Sequence, residues 1–330
     1  VPMKAVVVSQ NGGPERLELQ EVPTPRAGAG QLRVAVRYTG INYADTLVRR
    51  GVIPSPEVPF IPGMEIVGTV DELGAGVEGF SLGQPVAAFS RHGYAQHAVV
   101  PAALAVPLDT EDAQVDPQRA IGVPCTGVTA HQLLTRMGRL ADGETVFVQG
   151  AAGGVGTMLG QQAKALGAGV VIGSVGDVSK RPFVLAHGYD AAFTYEQFPD
   201  AIAAHTHGRG VDLYLEGNSG AHLASLGQVL APLGRAVYFG DAGFHSDTTV
   251  PIQRLRAGSW MVCGYSLGGL SVSAPGLWRP SALAVLGMIA RGAIRDVAVS
   301  VFSPTQAGQA HAMLESRRSQ GKLALDWGLL

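Results

Sequence analysis

Cysteine is almost missing from this chain, with two in 330 residues. Cys125 and Cys263 lie in different segments, so neither a disulfide framework nor a cysteine-rich zinc lobe can be assembled; both read as small buried residues. Charge of one sign is missing too: 24 Lys and Arg stand against 26 Asp and Glu, a net of −2. The longest basic run, Arg317-Arg318, is too short to make a patch, which argues against nucleic acid as a partner. No apolar run approaches the ~20 residues of a membrane span, and Val1-Pro2-Met3-Lys4 has no signal-peptide core. The expectation is a soluble, cytoplasmic protein with no membrane partner and with Met3 as its natural start.

The chain is rich in glycine, with 45, and 46% of it is hydrophobic, enough for two packed cores joined by many turns. Its organising stretch is Thr145-Val146-Phe147-Val148-Gln149-Gly150-Ala151-Ala152-Gly153-Gly154-Val155-Gly156, followed by the helical run Thr157–Leu166. Gly150, Gly153 and Gly156 recur every third residue. The first lets the backbone turn, the second lets it approach a phosphate, and the third lets helix and strand pack. A β-type run precedes the turn and a second strand, Val170–Gly173, follows the helix. That βαβ setting reads as a dinucleotide site, with the helix N-terminus aimed at a pyrophosphate.

Residues 3–123 read as β-structure. Met3–Val8, Leu17–Val22 and Leu32–Arg37 alternate apolar with polar residues, and a short helix is opened by Asn42 and stopped by Gly51. After Asp116-Pro117, a cap followed by proline, strands and helices alternate. The strands Thr145–Val148, Val170–Gly173, Ala192–Thr194, Leu213–Leu215, Ala236–Phe239 and Met261–Cys263 fit a doubly wound parallel sheet. The last ~60 residues, with strands expected at Asp296–Phe302 and Lys322–Asp326, rejoin the first domain, which is then discontinuous. His92, His97, His205, His207 and His245 show no ligand spacing and read as surface or internally bonded histidines.

Several motifs now line up. Gly40-Ile41-Asn42-Tyr43-Ala44-Asp45-Thr46, Pro62-Gly63-Met64-Glu65, Thr126-Gly127, Gly150–Gly156, Gly173–Lys180, Phe239-Gly240 and Glu315–Ser319 with Gly321-Lys322 fall in the order found in one family. The chain resembles the zinc-independent quinone oxidoreductase, zeta-crystallin-like branch of the medium-chain dehydrogenase/reductase superfamily. The resemblance implies an α/β protein with a Rossmann doubly wound parallel sheet plus a GroES-like β-barrel domain. It places the barrel domain at 1–123 and 267–330, the nucleotide domain at 124–266 and catalysis in the cleft between them. In the zinc-dependent alcohol dehydrogenases of the superfamily, ligands come from a Cys where this chain has Asn42 and a His where it has Met64. Cys125 is nearby, but a lone thiol cannot make a tetrahedral N/S site, so no metal is expected and Glu65 reads as a salt-bridged structural carboxylate.

Without a Lewis acid to hold an alkoxide, the feasible reaction is hydride transfer to an acceptor that delocalises its new charge, a quinone or an α,β-unsaturated carbonyl. Asn42, Tyr43 and Thr126 are the expected catalytic residues, with Tyr43 the donor by chemistry and Asp45 capping or orienting the helix. For the cofactor, no acid ends the second strand at Gly173-Ser174-Val175-Gly176, which leaves room for a 2′-phosphate. The resemblance assigns that phosphate to Lys180 and Tyr195, so NADPH is expected over NADH, with Asp177 the one opposing charge. It also assigns cofactor contacts to Asn42, Asp45, Thr126, Ala152, Gly153, Gly154, Val155, Gly173, Ser174, Phe239, Gly240, Cys263, Ser266 and Arg317. It further implies a homodimer through the edge strand Trp260–Tyr265. Loops at Val52–Phe60, Phe244–Asp247 and Gly268–Pro280 would line the acceptor pocket, and they do not name the acceptor or separate one-electron from hydride reduction. Two alternatives stand: an enoyl-thioester reductase and a non-catalytic NADPH-binding protein.

Overall fold

The computed structural model describes residues 2–110, 113–241 and 248–330; His245 and the loop Phe244–Asp247 lie outside the described residues. The chain divides into two compact units, Val1–Val128 with Leu270–Arg291 and Val297–Leu330, and Thr129–Gly269 with Gly292–Asp296. The seams fall a few residues beyond the expected 123/124 and 266/267. Residues 124–128 stay with the first unit because Pro124 O accepts from Trp278 Nε1 (3.0 Å) and Cys125 N donates to Glu65 Oε2 (2.9 Å). The return of Gly292–Asp296 to the second unit has its own clamp: Gln161 Nε2 donates to Asp296 O (2.7 Å) and its Oε1 accepts from Arg295 N (2.8 Å).

The first unit is built on the 11-residue strand Gln31–Ile41. One edge of it pairs antiparallel with Glu65–Leu73; the other is shared by His97–Pro101 and by Lys322–Asp326. Pro85–Phe89, Ala105–Pro107 and Val299–Phe302 complete a seven-stranded sheet. Same-face side chains of nearly all these strands, among them Leu32, Val34, Ile66, Val86, Val100 and Leu325, form one apolar cluster. Two register shifts in the Gln31–Ile41/Glu65–Leu73 ladder supply the local twist that lets such a sheet curl around its own core. Pro2–Val8 and Leu17–Pro23 form a separate hairpin. Asn42 and Gly51, the latter left-handed at φ 71, bound the helix Tyr43–Arg50 as the sequence predicts.

The second unit carries six parallel strands, Thr145–Gln149, Val170–Val175, Ala191–Thr194, Val211–Glu216, Leu230–Tyr238 and Met261–Gly264. In space they run third, second, first, fourth, fifth, sixth, the doubly wound order whose reversal lies beside the first strand. Each of the six read from sequence is present. The second strand runs two residues past Gly173, because Ser174 stays in register with Gln149 and its Oγ donates to Gln149 Oε1 (2.5 Å). Among the described residues no helix is long and apolar enough to cross a membrane.

The helix Gly154–Ala165 packs closely through two glycines, one against the turn after the first strand and one against the segment that leads into the third. A β-carbon on Gly156 would stand 2.6 Å from Gly150 O, and one on Gly160 would collide with His187 O and the Tyr189 ring. Alanine's better helix propensity is worth about 1 kcal/mol at most, less than the cost of an overlap with backbone that cannot move aside. Gly156→Ala and Gly160→Ala should each destabilise the protein by about 1–3 kcal/mol in urea titration; a gain in stability at either would show that the helix sits further off.

Candidate active site

Sheet register alone brings three distant pieces of the first unit together. Gly40 pairs with Glu65 and Leu323 with Ile41, so Glu65 and Lys322 arrive on opposite sides of residues 40–42. Gly40 has to be glycine here: a β-carbon would stand 2.6 Å from Glu65 Cγ. Glu65 is 0% and Lys322 2% exposed, so neither charge is tolerable without a partner. Lys322 Nζ pairs with Glu65 Oε1 and donates to Asn42 Oδ1 (2.7 Å) and Ile41 O (3.2 Å), which accounts for all three of its N–H groups. Asn42 Nδ2 donates to Glu65 Oε1 (2.8 Å), and Cys125 N donates to Glu65 Oε2 (2.9 Å). Glu65 is thus the salt-bridged carboxylate expected. Its partner, Lys322, was missed as a site residue, although a lone cation opening the apolar strand Lys322-Leu323-Ala324-Leu325 was a signal for it.

These donors do not fit a zinc ion. Glu65 is spent on the ammonium, Asn42 and Met64 bring only an amide and a thioether, and burial followed by the charge of Glu65 pushes the Cys125 thiol well above the usual range, so it stays protonated. That thiol donates to Met64 O (3.5 Å). Among the described residues no three His, Cys, Asp or Glu side chains could hold a metal together. Thr126 is buried in a π-helical turn, Val123–Gly127, where its Oγ1 donates to Gly122 O (2.9 Å). Tyr43 is half-buried at the first position of its helix, and Arg317 is exposed just past the helix Ala307–Glu315, with φ 58.

Asp45 does cap: its Oδ2 accepts from Asn42 N (2.8 Å). It also ends a buried chain of hydrogen bonds whose direction can be read from one fixed donor. Arg49, 0% exposed, can only donate, so His311 Nδ1 accepts from it (2.9 Å) and the ring proton sits on Nε2. His311 Nε2 then donates to Tyr94 Oη (2.8 Å), whose O–H bonds the Asp45 carboxyl. Burial raises Asp45 to about 7, while burial and then Arg49 lower His311 to about 3. Arg49 also donates to Gly12 O (3.0 Å) and Glu315 Oε1 (2.7 Å).

In the second unit, Gly150 turns the chain at φ 82, and a β-carbon on Gly153 would meet only Gly150 O at 3.6 Å, so the turn is open there. Ala152 is buried, and Gly154 and Val155 begin the helix with their N–H groups free of any preceding turn. Tyr195 begins a 3₁₀ turn right after the third strand; its Oη would lie 3.7 Å from a β-carbon on Gly150, and its ring 3.4 Å from one on Gly176. The tyrosine therefore stands at the mouth of the glycine turn. Lys180 ends the 3₁₀ turn Val178–Lys180, and burial lowers it below an ordinary lysine. Asp177 is held below the usual carboxylate range by its bonds to Ser179, whose N–H it accepts at 2.7 Å.

Gly173 and Ser174 lie near the end of the second strand. Gly173 is walled in by Ala151 and Tyr189, and the Ser174 hydroxyl is turned inside the sheet toward Gln149. Phe239 N donates to Glu216 O (2.9 Å), Gly240 follows beside Gly217, Cys263 is half-buried, and exposed Ser266 accepts from Gly269 N (3.1 Å). Sequence reasoning missed the polar chain at this end of the sheet: Glu216 accepts from Tyr214 Oη, from Asn218 N (2.6 Å) and from Ser219 N (2.9 Å), and His222 Nδ1 stands 3.0 Å from Glu216 and 3.1 Å from Gln149 Nε2. A glutamate closing an apolar strand was its only trace in the sequence.

Residues 28–110 match the family model described as the alcohol dehydrogenase GroES-like domain, and residues 154–286 that described as zinc-binding dehydrogenase. The chain belongs to the medium-chain dehydrogenase/reductase superfamily that these two domains define. It is 30% identical over 322 residues to the probable quinone oxidoreductase of Schizosaccharomyces pombe, covering 97% of this chain and 96% of that one. It is 26% identical to the 2-haloacrylate reductase of a Burkholderia species, covering 97% and 98%. The structure of Escherichia coli quinone oxidoreductase complexed with NADPH superposes with a TM-score of 0.88 at 28% identity, covering 98% and 99%. Within the superfamily, the chain falls in the quinone oxidoreductase branch.

The two titrating groups of the buried chain pull stability in opposite directions. Between its unfolded value of 3.8 and about 7, folded Asp45 holds a proton the unfolded chain has lost, so its contribution falls as pH rises. Between about 3 and 6.5, unfolded His311 holds a proton the folded ring refuses, so its contribution rises with pH. From roughly pH 4 to 6 the two cancel. Relative to wild type, the stability of Asp45→Asn should rise across that window by about 1.4 kcal/mol per pH unit, and that of His311→Gln should fall by the same amount. Urea titrations in steps of half a pH unit read this directly, and parallel pH profiles for all three proteins would contradict it.

Proposed function

We propose that the protein is an NADPH-dependent reductase that passes hydride to quinones or other activated, α,β-unsaturated carbonyl acceptors without zinc. The observation that carries this reading is the fixed ammonium of Lys322, bonded to Glu65 and Asn42 at the place where a zinc enzyme would need its ligands. NADPH, when bound, supplies the hydride. The open turn at Gly153 leaves room for a pyrophosphate, which the first N–H groups of the helix, at Gly154 and Val155, receive. Lys180 and Tyr195 take the 2′-phosphate. Asp177 weakens this little, since its charge is already answered by the Ser179 N–H. Gly173 and Ser174 serve by holding the turn, while Phe239, Gly240, Cys263, Ser266 and Arg317 contribute mainly main-chain contacts and charge.

Asn42, Tyr43 and Thr126 act at the reacting end. The hydride's electron pair forms the new bond at the acceptor, and the displaced π pair moves onto the conjugated oxygen. Hydrogen-bond donors stabilise that oxygen until a proton arrives from water or the Tyr43 hydroxyl. The relatives' names support the acceptor class, a quinone in two and a haloacrylate in the third. A homodimer would use Met261–Gly264, which forms the outer edge of the six-stranded sheet and leaves Met261 exposed.

A panel of quinones, enals and enoyl thioesters with NADPH tests the whole reading. Turnover of quinones or activated carbonyls is expected; turnover of thioesters alone selects an enoyl-thioester reductase, and cofactor binding with no turnover selects a non-catalytic protein. Tightly held zinc, or brisk oxidation of a saturated alcohol, would also overturn it. Lys180→Ala should weaken NADPH about 10–100-fold and leave NADH nearly unchanged by fluorescence titration. Equal losses for both cofactors would remove Lys180 from the phosphate site.

A further inference from the structure

We propose that Lys322 is a positioning residue for the reaction assigned above: its buried ammonium fixes which end of the Asn42 carboxamide is oxygen and which is nitrogen. The inference rests on that assignment for its catalytic consequence, but the geometry behind it is independent. A carboxamide can seat itself either way round, because its oxygen and nitrogen have nearly the same shape. Here each end meets a partner that accepts only one answer. Lys322 Nζ has no lone pair to offer and therefore holds Oδ1 (2.7 Å), while the Glu65 carboxylate has no proton to offer and holds Nδ2 (2.8 Å).

The ion pair also holds itself in place. Lys322 is tied to Ile41 O and Glu65 to Cys125 N, on opposite sides of Asn42, so neither charge can follow the amide if it turns. With Oδ1 held by the cation and an N–H by the carboxylate, the amide is fixed in one sense and presents the same edge to whatever binds beside it. The ion pair thus acts on the reaction by positioning the amide, since its two charges offset each other.

The chain has three asparagines, Asn11, Asn42 and Asn218, so selective ¹⁵N labelling of asparagine side chains gives three amide pairs, and Asn42→Ala assigns the middle one. The variants are Lys322→Arg, which keeps a cation, and the double variant Glu65→Gln/Lys322→Met, which removes both charges and leaves neither buried alone. In wild type the Asn42 pair should be widely split and slow to exchange. In the double variant it should collapse and kcat should drop about tenfold or more, with the NADPH dissociation constant within about twofold of wild type. Lys322→Arg should keep the split pair and most of kcat. An unaltered Asn42 pair in the double variant overturns the proposal, whatever the rate does. If wild type reduces no acceptor on the panel, the assigned function fails by itself, and the amide spectrum still decides whether Lys322 positions Asn42.

Discussion

The first unit depends on one buried ion pair. Taking a carboxylate and an ammonium out of water costs several kcal/mol for each, and their attraction offsets this only when every remaining donor and acceptor is satisfied. Glu65 and Lys322 meet that condition with main-chain partners on both sides, Cys125 N and Ile41 O, and with the Asn42 amide between them. Such a pair adds little net stability, but it severely penalises any other register. A slip of one residue in either flanking strand would send one charge to the opposite face and leave the other buried alone. The pair therefore specifies the arrangement of the strands as much as it holds the site.

The same economy recurs elsewhere in both units. The helix that begins at Asn42 is held at its first turn by Asp45 and near its last by Arg49, and a line of hydrogen bonds through Tyr94 and His311 joins these two ends through the core. In the second unit, Glu216 closes the fourth strand and gathers Tyr214, His222 and two backbone N–H groups. Each cluster sits where a strand stops and a loop or helix begins, which is where backbone groups lose their ladder partners and must find others. Polar residues were placed there because the backbone requires them, and chemistry can then make use of what is already rigid.

Much of this was legible because the chain states it locally. Glycines three apart between a β-type run and a helical run announce the nucleotide turn, and Asn42 with Gly51, like Asp116 with Pro117, marks a helix end within a few residues. Glu65 in the middle of Met64-Glu65-Ile66-Val67 demanded a cation, and that much could be read. Which cation could not, since 280 residues separate Asn42 from Lys322, and only strand register brings them together. The inward turn of Ser174 was hidden for a like reason, because a serine near a strand's end looks the same whether its hydroxyl meets a ligand or a neighbouring glutamine. The resemblance to a known family gave the domain order, but the small displacement of the seams came from single contacts, at Trp278 and Gln161, that no periodicity encodes.

The chain passes between its units at 128/129, 269/270, 291/292 and 296/297, and the strand that carries Lys322 is the last one made. During synthesis the central sheet of the first unit therefore waits, with a carboxylate already committed to its interior, until the strand Lys322–Asp326 has been made. A nascent chain cannot complete this unit early and move on to the next. The second unit has its six strands continuous in sequence, so all of them are made before the last strand of the first unit.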